Sequence, residues 1–136
     1  MADPGSYLLI IECERSIDIK VGALAERAFE VGHYAYAGSA FGPGGLSRVD
    51  RHRRIAAGDH DVRHWHIDYL LGAAETELAG VETFRDRDVE CELATALSEM
   101  GCGRVDGFGA SDCECPSHLW GPVGRSTLVA ISERVR

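Results

Sequence analysis

The chain has 136 residues and a formal net charge of -8, a length that suits one domain, residues 1–136, with a buried core of its own. No apolar run reaches the roughly 20 residues a membrane-spanning helix needs, and the opening "MADPGSYLLIIECE" lacks the basic segment of a secretory signal. A soluble, cytoplasmic protein with no membrane partner is therefore expected, and its acidity argues at long range against nucleic acid.

"YLLIIEC" (Tyr7 to about Cys13) is apolar and rich in strand formers, so it reads as a buried strand. "IDIKV" alternates as a half-exposed strand does, "RAFEV" continues in the same style, and "HYAYAGS" ends in a turn glycine. The first third therefore reads as short antiparallel strands joined by hairpins. "FGPGG" is a loop. Beyond it "LSRVDRHRRIA" sets Leu46, Val49 and Ile55 on one side of a helix, with Ser47 or the glycines before it as cap.

"HWHIDYLL" is a compact apolar segment in which His64 and His66 would share one face if it is a strand. Asp68 within it either orients a histidine or caps a helix. "AETELAGVETF" reads as a strand. The clearest helix is "DRDVECELATALSEM", Asp86 to Met100, with Val89, Leu93, Ala96, Leu97 and Met100 on one face and Gly101 or Gly103 ending it. "GFGASDCECPSHLWGPVG" is a Gly, Cys and Pro loop with a short strand at "HLW", and "STLVAISERV" fits helix or strand.

The charge is unevenly spread. Arg48, Arg51, Arg53 and Arg54 make a basic strip, while Lys20 is the single lysine and Asn and Gln are absent. Such a composition is similar to that of salt-adapted proteins, whose acidic surfaces hold water in strong salt, and this weakens the charge objection to a nucleic-acid partner. The 5 cysteines, an odd number, favour reduced thiols or metal ligands over a disulfide framework. Cys113, Cys115 and His118 cluster in "SDCECPSHL", and Cys102 or Asp112 could complete a zinc site. The spacing between the cysteines is short for zinc, however, and a rigid loop of packed thiols is the competing reading.

Three pieces belong together: "GSY" at Gly5–Tyr7, "YAG" at Tyr36–Gly38 and "RVDRH" at Arg48–His52. They resemble the GIY-YIG nuclease superfamily. With "YAYAGSAFGPGGL", "HWHIDYLL", "ECEL" and "GFGASDCECPSHL" in the same order, the chain is similar to the Uri-type endonuclease branch from Gly5 to about Trp120.

The resemblance implies an α/β fold of the α+β type, a small central, mainly antiparallel sheet flanked by helices. It also implies an endonuclease that hydrolyses DNA phosphodiesters with one Mg2+ or Mn2+, in a structure-specific or repair setting. Such hydrolysis needs a deprotonated nucleophile, positive charge at the phosphate and help for the leaving oxygen.

Carried onto this chain, Tyr36 is the proton acceptor or water-orienting phenol, with Tyr7 its partner and Tyr34 left to packing. Arg48 stabilises the transition-state phosphate, and His52 follows one helical turn later on the same face. His66 is a further proton-transfer candidate. Glu90 holds the metal, with Glu92 as the alternative; the two lie about 200° apart on a helix, so only one can face the site. Gly38, Ser39, Arg51, Arg53, Arg54 and His64 meet DNA. Cys113, Cys115 and His118 form a site loop or a second metal site.

Some positions depart from the family pattern. Ser6 and Ala37 replace isoleucines, Ser39 stands where many relatives are basic, and two strand-like segments separate Tyr7 from Tyr36. A domain this small usually chooses its site as a homodimer or with an accessory DNA-binding protein. Two other readings compete: a DNA-binding module that keeps the scaffold without cutting, and a zinc-stabilised interaction domain.

Overall fold

The computed structural model describes residues 3–20, 26–42, 44–59, 66–99 and 119–135. Its centre is β1 (Gly5–Cys13), buried along almost all of its length. Apolar residues on both faces of a strand demand cover on both sides, and that decides the architecture. β4 (Gly32–Ala40) and β5 (Thr76–Arg85) pair with β1 from either side, and β6 (Leu119–Val123) pairs with β4. All these pairings are antiparallel, and the sheet order is β5-β1-β4-β6. β2 (Ile17–Lys20) and β3 (Glu26–Phe29) form a separate two-stranded sheet. The early strands are thus antiparallel as expected, but β1 passes over the β2–β3 pair to reach β4.

Alternation along β1 divides the core. Tyr7, Leu9, Ile11 and Cys13 join Tyr34, Tyr36 and Ala40 of β4 on one face, under α1 (Ser47–Ala56) and α2 (His66–Leu71). Leu8 and Ile10 join Ala35 and Ala37 on the other, under α3 (Glu90–Glu99) and α4 (Arg125–Val135). The fold is therefore α+β, an antiparallel sheet with helices on both faces, as the resemblance implied. No helix among the described residues is long and apolar enough to cross a membrane.

Four local expectations resolve differently or more sharply. His66–Leu71 is a helix, because Ile67, Leu70 and Leu71 then all face the core. α3 begins at Glu90 instead of Asp86, since Asp86 has φ 58, a left-handed turn that no helix start contains. "STLVAISERV" is helical, with Leu128, Ile131 and Val135 buried at helical spacing. Ser47 does not cap α1: its hydroxyl donates backwards to the Gly44 carbonyl at 2.6 Å. Cys13 is a buried free thiol. Cys91 is disulfide-bonded, which corrects the expectation of reduced thiols; an odd cysteine count does not prevent one bridge.

α1 and α2 are joined by a fork. Arg51 Nη1 and Nη2 donate to Asp68 Oδ1 and Oδ2, both at 2.9 Å, and Asp68 is 0% exposed. A buried carboxylate without its cation is costly. Arg51→Ala, which strands the buried Asp68 carboxylate, should therefore lower unfolding free energy by about 3 kcal/mol or more, read from urea denaturation. A loss below about 1 kcal/mol, the range of exposed pairs, would show that the fork does not join the helices.

Candidate active site

The β1–β4 register sets Tyr7 opposite Gly38 and Leu9 opposite Tyr36. Both tyrosines thus lie on the α1 face, one step apart diagonally. Tyr7 lies so close over β4 that a methyl group at position 38 would overlap its ring. Gly38 is needed here for close approach of ring and strand. Tyr34 lies further along the same face: its hydroxyl donates to the Glu30 carbonyl at 3.0 Å and its ring meets Phe29 edge-on. It packs, as expected.

α1 lowers two side chains onto the phenols. His52 is 1% exposed, and its Nε2 shares a 2.8 Å hydrogen bond with Tyr7 Oη. The Tyr36 ring stands edge-on to the imidazole, with centroids 6.5 Å apart. Arg48, one turn earlier, donates from Nη1 to the Ser39 carbonyl at 2.7 Å, which fastens the helix start to the end of β4. The guanidinium also acts on Tyr7 through charge and hydrogen bonding.

Burial sets the protonation states. It pushes the Tyr7 and Tyr36 phenols well above the usual range, opposed in both by Arg48 and reinforced by Glu90 and Asp68. Burial also lowers His52 to about 4; Asp68 pulls it up, while Arg51 and Arg48 press it further down. At neutral pH the phenols and the imidazole are all uncharged, and the formal charges around them belong to Arg48, Arg51, Asp68 and Glu90.

Glu90, the first residue of α3, is half-buried and its charge is felt by both phenols. Glu92 is exposed and faces a groove with Arg134 and Val135. The structure therefore separates the two candidates and sets Glu90 toward the tyrosines. Among the described residues no group of three or more His, Cys, Asp or Glu is arranged to hold a metal, so zinc has no ligand set there. A magnesium or manganese ion, which keeps most of its waters and takes one or two carboxylates, fits the single Glu90.

The remaining expected residues are scattered. Arg51 donates both of its Nη groups to Asp68. Arg53 and Arg54 are exposed on α1, Arg53 beside Asp50 at 3.3 Å. Ser39 is half-buried and contributes its carbonyl. His66 starts α2, but its side chain lies outside the described residues, as do His64, Cys113, Cys115 and His118.

Two residues in the surroundings of the site have partners the sequence did not assign. Asp68 carried a signal for Arg51, since an acid in an apolar run needs a cation. Ser6, treated below, stood out only as a departure from the family pattern.

Fold and geometry together define a small α+β protein whose sheet and first helix bury two phenols and an imidazole in one cluster, with the half-buried Arg48 beside them. A family model described as "Domain of unknown function DUF123" matches residues 6–135, and the chain belongs to that family. No curated protein and no solved structure matches it.

Gly38→Ala should displace the Tyr7 ring and break its bond to His52, costing about 1–3 kcal/mol, as overpacking does. Urea denaturation reads the stability, and the ring shifts of Tyr7 and His52 in NMR read the displacement. A pH effect follows from His52. Its folded value lies below the ordinary 6.5, so the unfolded chain binds the proton first. Its contribution is complete above about pH 6.5 and is lost as pH falls toward 4. Unfolding free energy should drop by about 2 kcal/mol between pH 7 and 5, and His52→Gln should remove most of that slope.

Proposed function

We propose that the protein is a metal-dependent endonuclease that hydrolyses phosphodiester bonds in DNA, as its resemblance to the GIY-YIG superfamily and the Uri-type branch implies. One observation carries the reading: Tyr7, Tyr36, Arg48 and His52 converge on one face of the sheet, with Glu90 near enough to act on both phenols. The sequence motifs are thereby neighbours in space.

The chemistry follows from the protonation states. A neutral phenol can take a proton only by passing on its own. Tyr7 has an acceptor for it, the uncharged His52 Nε2 at 2.8 Å. As the attacking water bonds to phosphorus, its proton passes to Tyr7 Oη while the Tyr7 proton moves to Nε2. The imidazolium then gives the proton back through Tyr7 to the leaving oxygen as its bond to phosphorus breaks, because a group lowered to about 4 does not hold a proton at neutral pH.

Tyr36, edge-on to the same imidazole, orients the water, so the proton-accepting role the sequence suggested for Tyr36 moves to Tyr7. Arg48 offers fixed positive charge to the phosphate oxygens in a site poor in water, where such charge is worth most. A Mg2+ or Mn2+ ion at Glu90 would add positive charge at the phosphate and leaving oxygen. The exposed Arg53 and Arg54 supply sequence-independent contact to the DNA backbone.

Purified protein should be incubated with plasmid, flapped, branched and single-stranded DNA in Mg2+, Mn2+ or chelator. Cleavage should need metal. Tyr7→Phe and Arg48→Ala should each slow it about 10²–10³-fold, and Glu90→Gln should abolish it at metal concentrations that saturate the wild type. Binding without cutting in any metal would sink the nuclease reading and leave a DNA-binding module.

A further inference from the structure

α3 does not hold Glu90 in place by itself. Val89 stands just before the helix, its carbonyl accepting the Leu93 amide at 2.8 Å, and a valine there has no side-chain oxygen to cap the turn. The residue before the helix is instead braced from the start of the chain. Ser6 Oγ accepts the Val89 amide at 2.9 Å and donates to the Arg87 carbonyl at 2.8 Å. Beside it the Asp86 amide donates to the Pro4 carbonyl at 2.8 Å. Arg87 in turn reaches the Val135 carbonyl with Nη2 at 2.8 Å.

Ser6 is 0% exposed, so neither of its bonds can be replaced by water. Its next neighbour is Tyr7, whose side chain leaves β1 on the opposite face. One peptide unit therefore connects the brace on the Glu90 turn with the phenol of the site. A hydroxyl is well suited to the place, since it donates and accepts through a single atom.

We propose that Ser6 is the positioning residue for Glu90: its paired hydrogen bonds to Arg87 and Val89 fix the carboxylate relative to Tyr7 and so set the affinity for a divalent cation. The proposal rests on the reading of Glu90 as the metal ligand. Side chains that orient a ligand without touching the metal are worth about 10–100-fold in affinity.

The test is calorimetric titration of the full chain with Mn2+, without DNA, for wild type, Ser6→Ala, Ser6→Cys, Glu90→Gln and the Ser6→Ala/Glu90→Gln double variant. Wild type should bind one ion and Glu90→Gln should lose it. Ser6→Ala should weaken binding about tenfold or more, with the near-isosteric Ser6→Cys between, and the double variant should be no weaker than Glu90→Gln.

If Glu90→Gln binds as wild type does, the metal-ligand reading fails and the proposal with it. If Glu90→Gln loses the ion while folded Ser6→Ala and Ser6→Cys keep wild-type affinity, the positioning role alone is overturned.

Should both Ser6 variants fail to fold, hydrogen exchange on the wild type decides. Mn2+ should slow exchange of the Val89 amide together with the first turn of α3. A Val89 amide indifferent to the ion would overturn the proposal.

Discussion

The close passage of the Tyr7 ring over the Gly38 backbone is the constraint on which the rest of the site depends. It brings β1 and β4 together without a side chain between ring and strand, so the phenol can lie flat under α1. Only from that position does its oxygen reach His52. The helix is fixed to match, by Arg48 on the Ser39 carbonyl at one point and by Arg51 on Asp68 at another. The site is held at its edges by charged hydrogen bonds and at its centre by contact.

Burial gives this arrangement its chemical character. Ionising any of the three neutral groups would require a charge in a region water does not reach, which is why the phenols are raised and the imidazole lowered. The two arginines and two carboxylates around them are not equivalent: Arg51 and Asp68 form a direct ion pair, while Arg48 and Glu90 act on the phenols more strongly than Asp68 does. The cluster resembles a proton conduit with fixed charge at its rim more than a set of independent acids and bases.

Legibility in the sequence followed the range of the interaction. Arg48 and His52, one turn apart, could be placed on one helix face from spacing alone, and Tyr34, left to packing, does pack, on the same side of β4 as Tyr36. "HWHIDYLL" was ambiguous because a short apolar run satisfies strand and helix equally. The first helix in which two acids compete was set too early, since nothing local announces the left-handed turn at Asp86.

Ser6 was legible only as a departure from the family's isoleucine. Its partners lie 81 and 83 residues away, and no local pattern encodes them. The departure acquires a physical reason once the Ser6 hydroxyl is seen to bond both the Arg87 carbonyl and the Val89 amide in the segment before α3.

The sheet order has a consequence for the growing chain. β1 is made first but is flanked by β4 and by β5, the latter arriving late. During synthesis β1 and β4 can pair while β5 and α3 are still missing, and pairing between segments so distant in sequence is slow. A nascent chain at that stage has both phenols side by side and an open strand edge along β1, but no Glu90. The cluster of both phenols and Glu90 is therefore completed in one late step, when β5 closes that edge and brings Arg87 and Val89 onto Ser6.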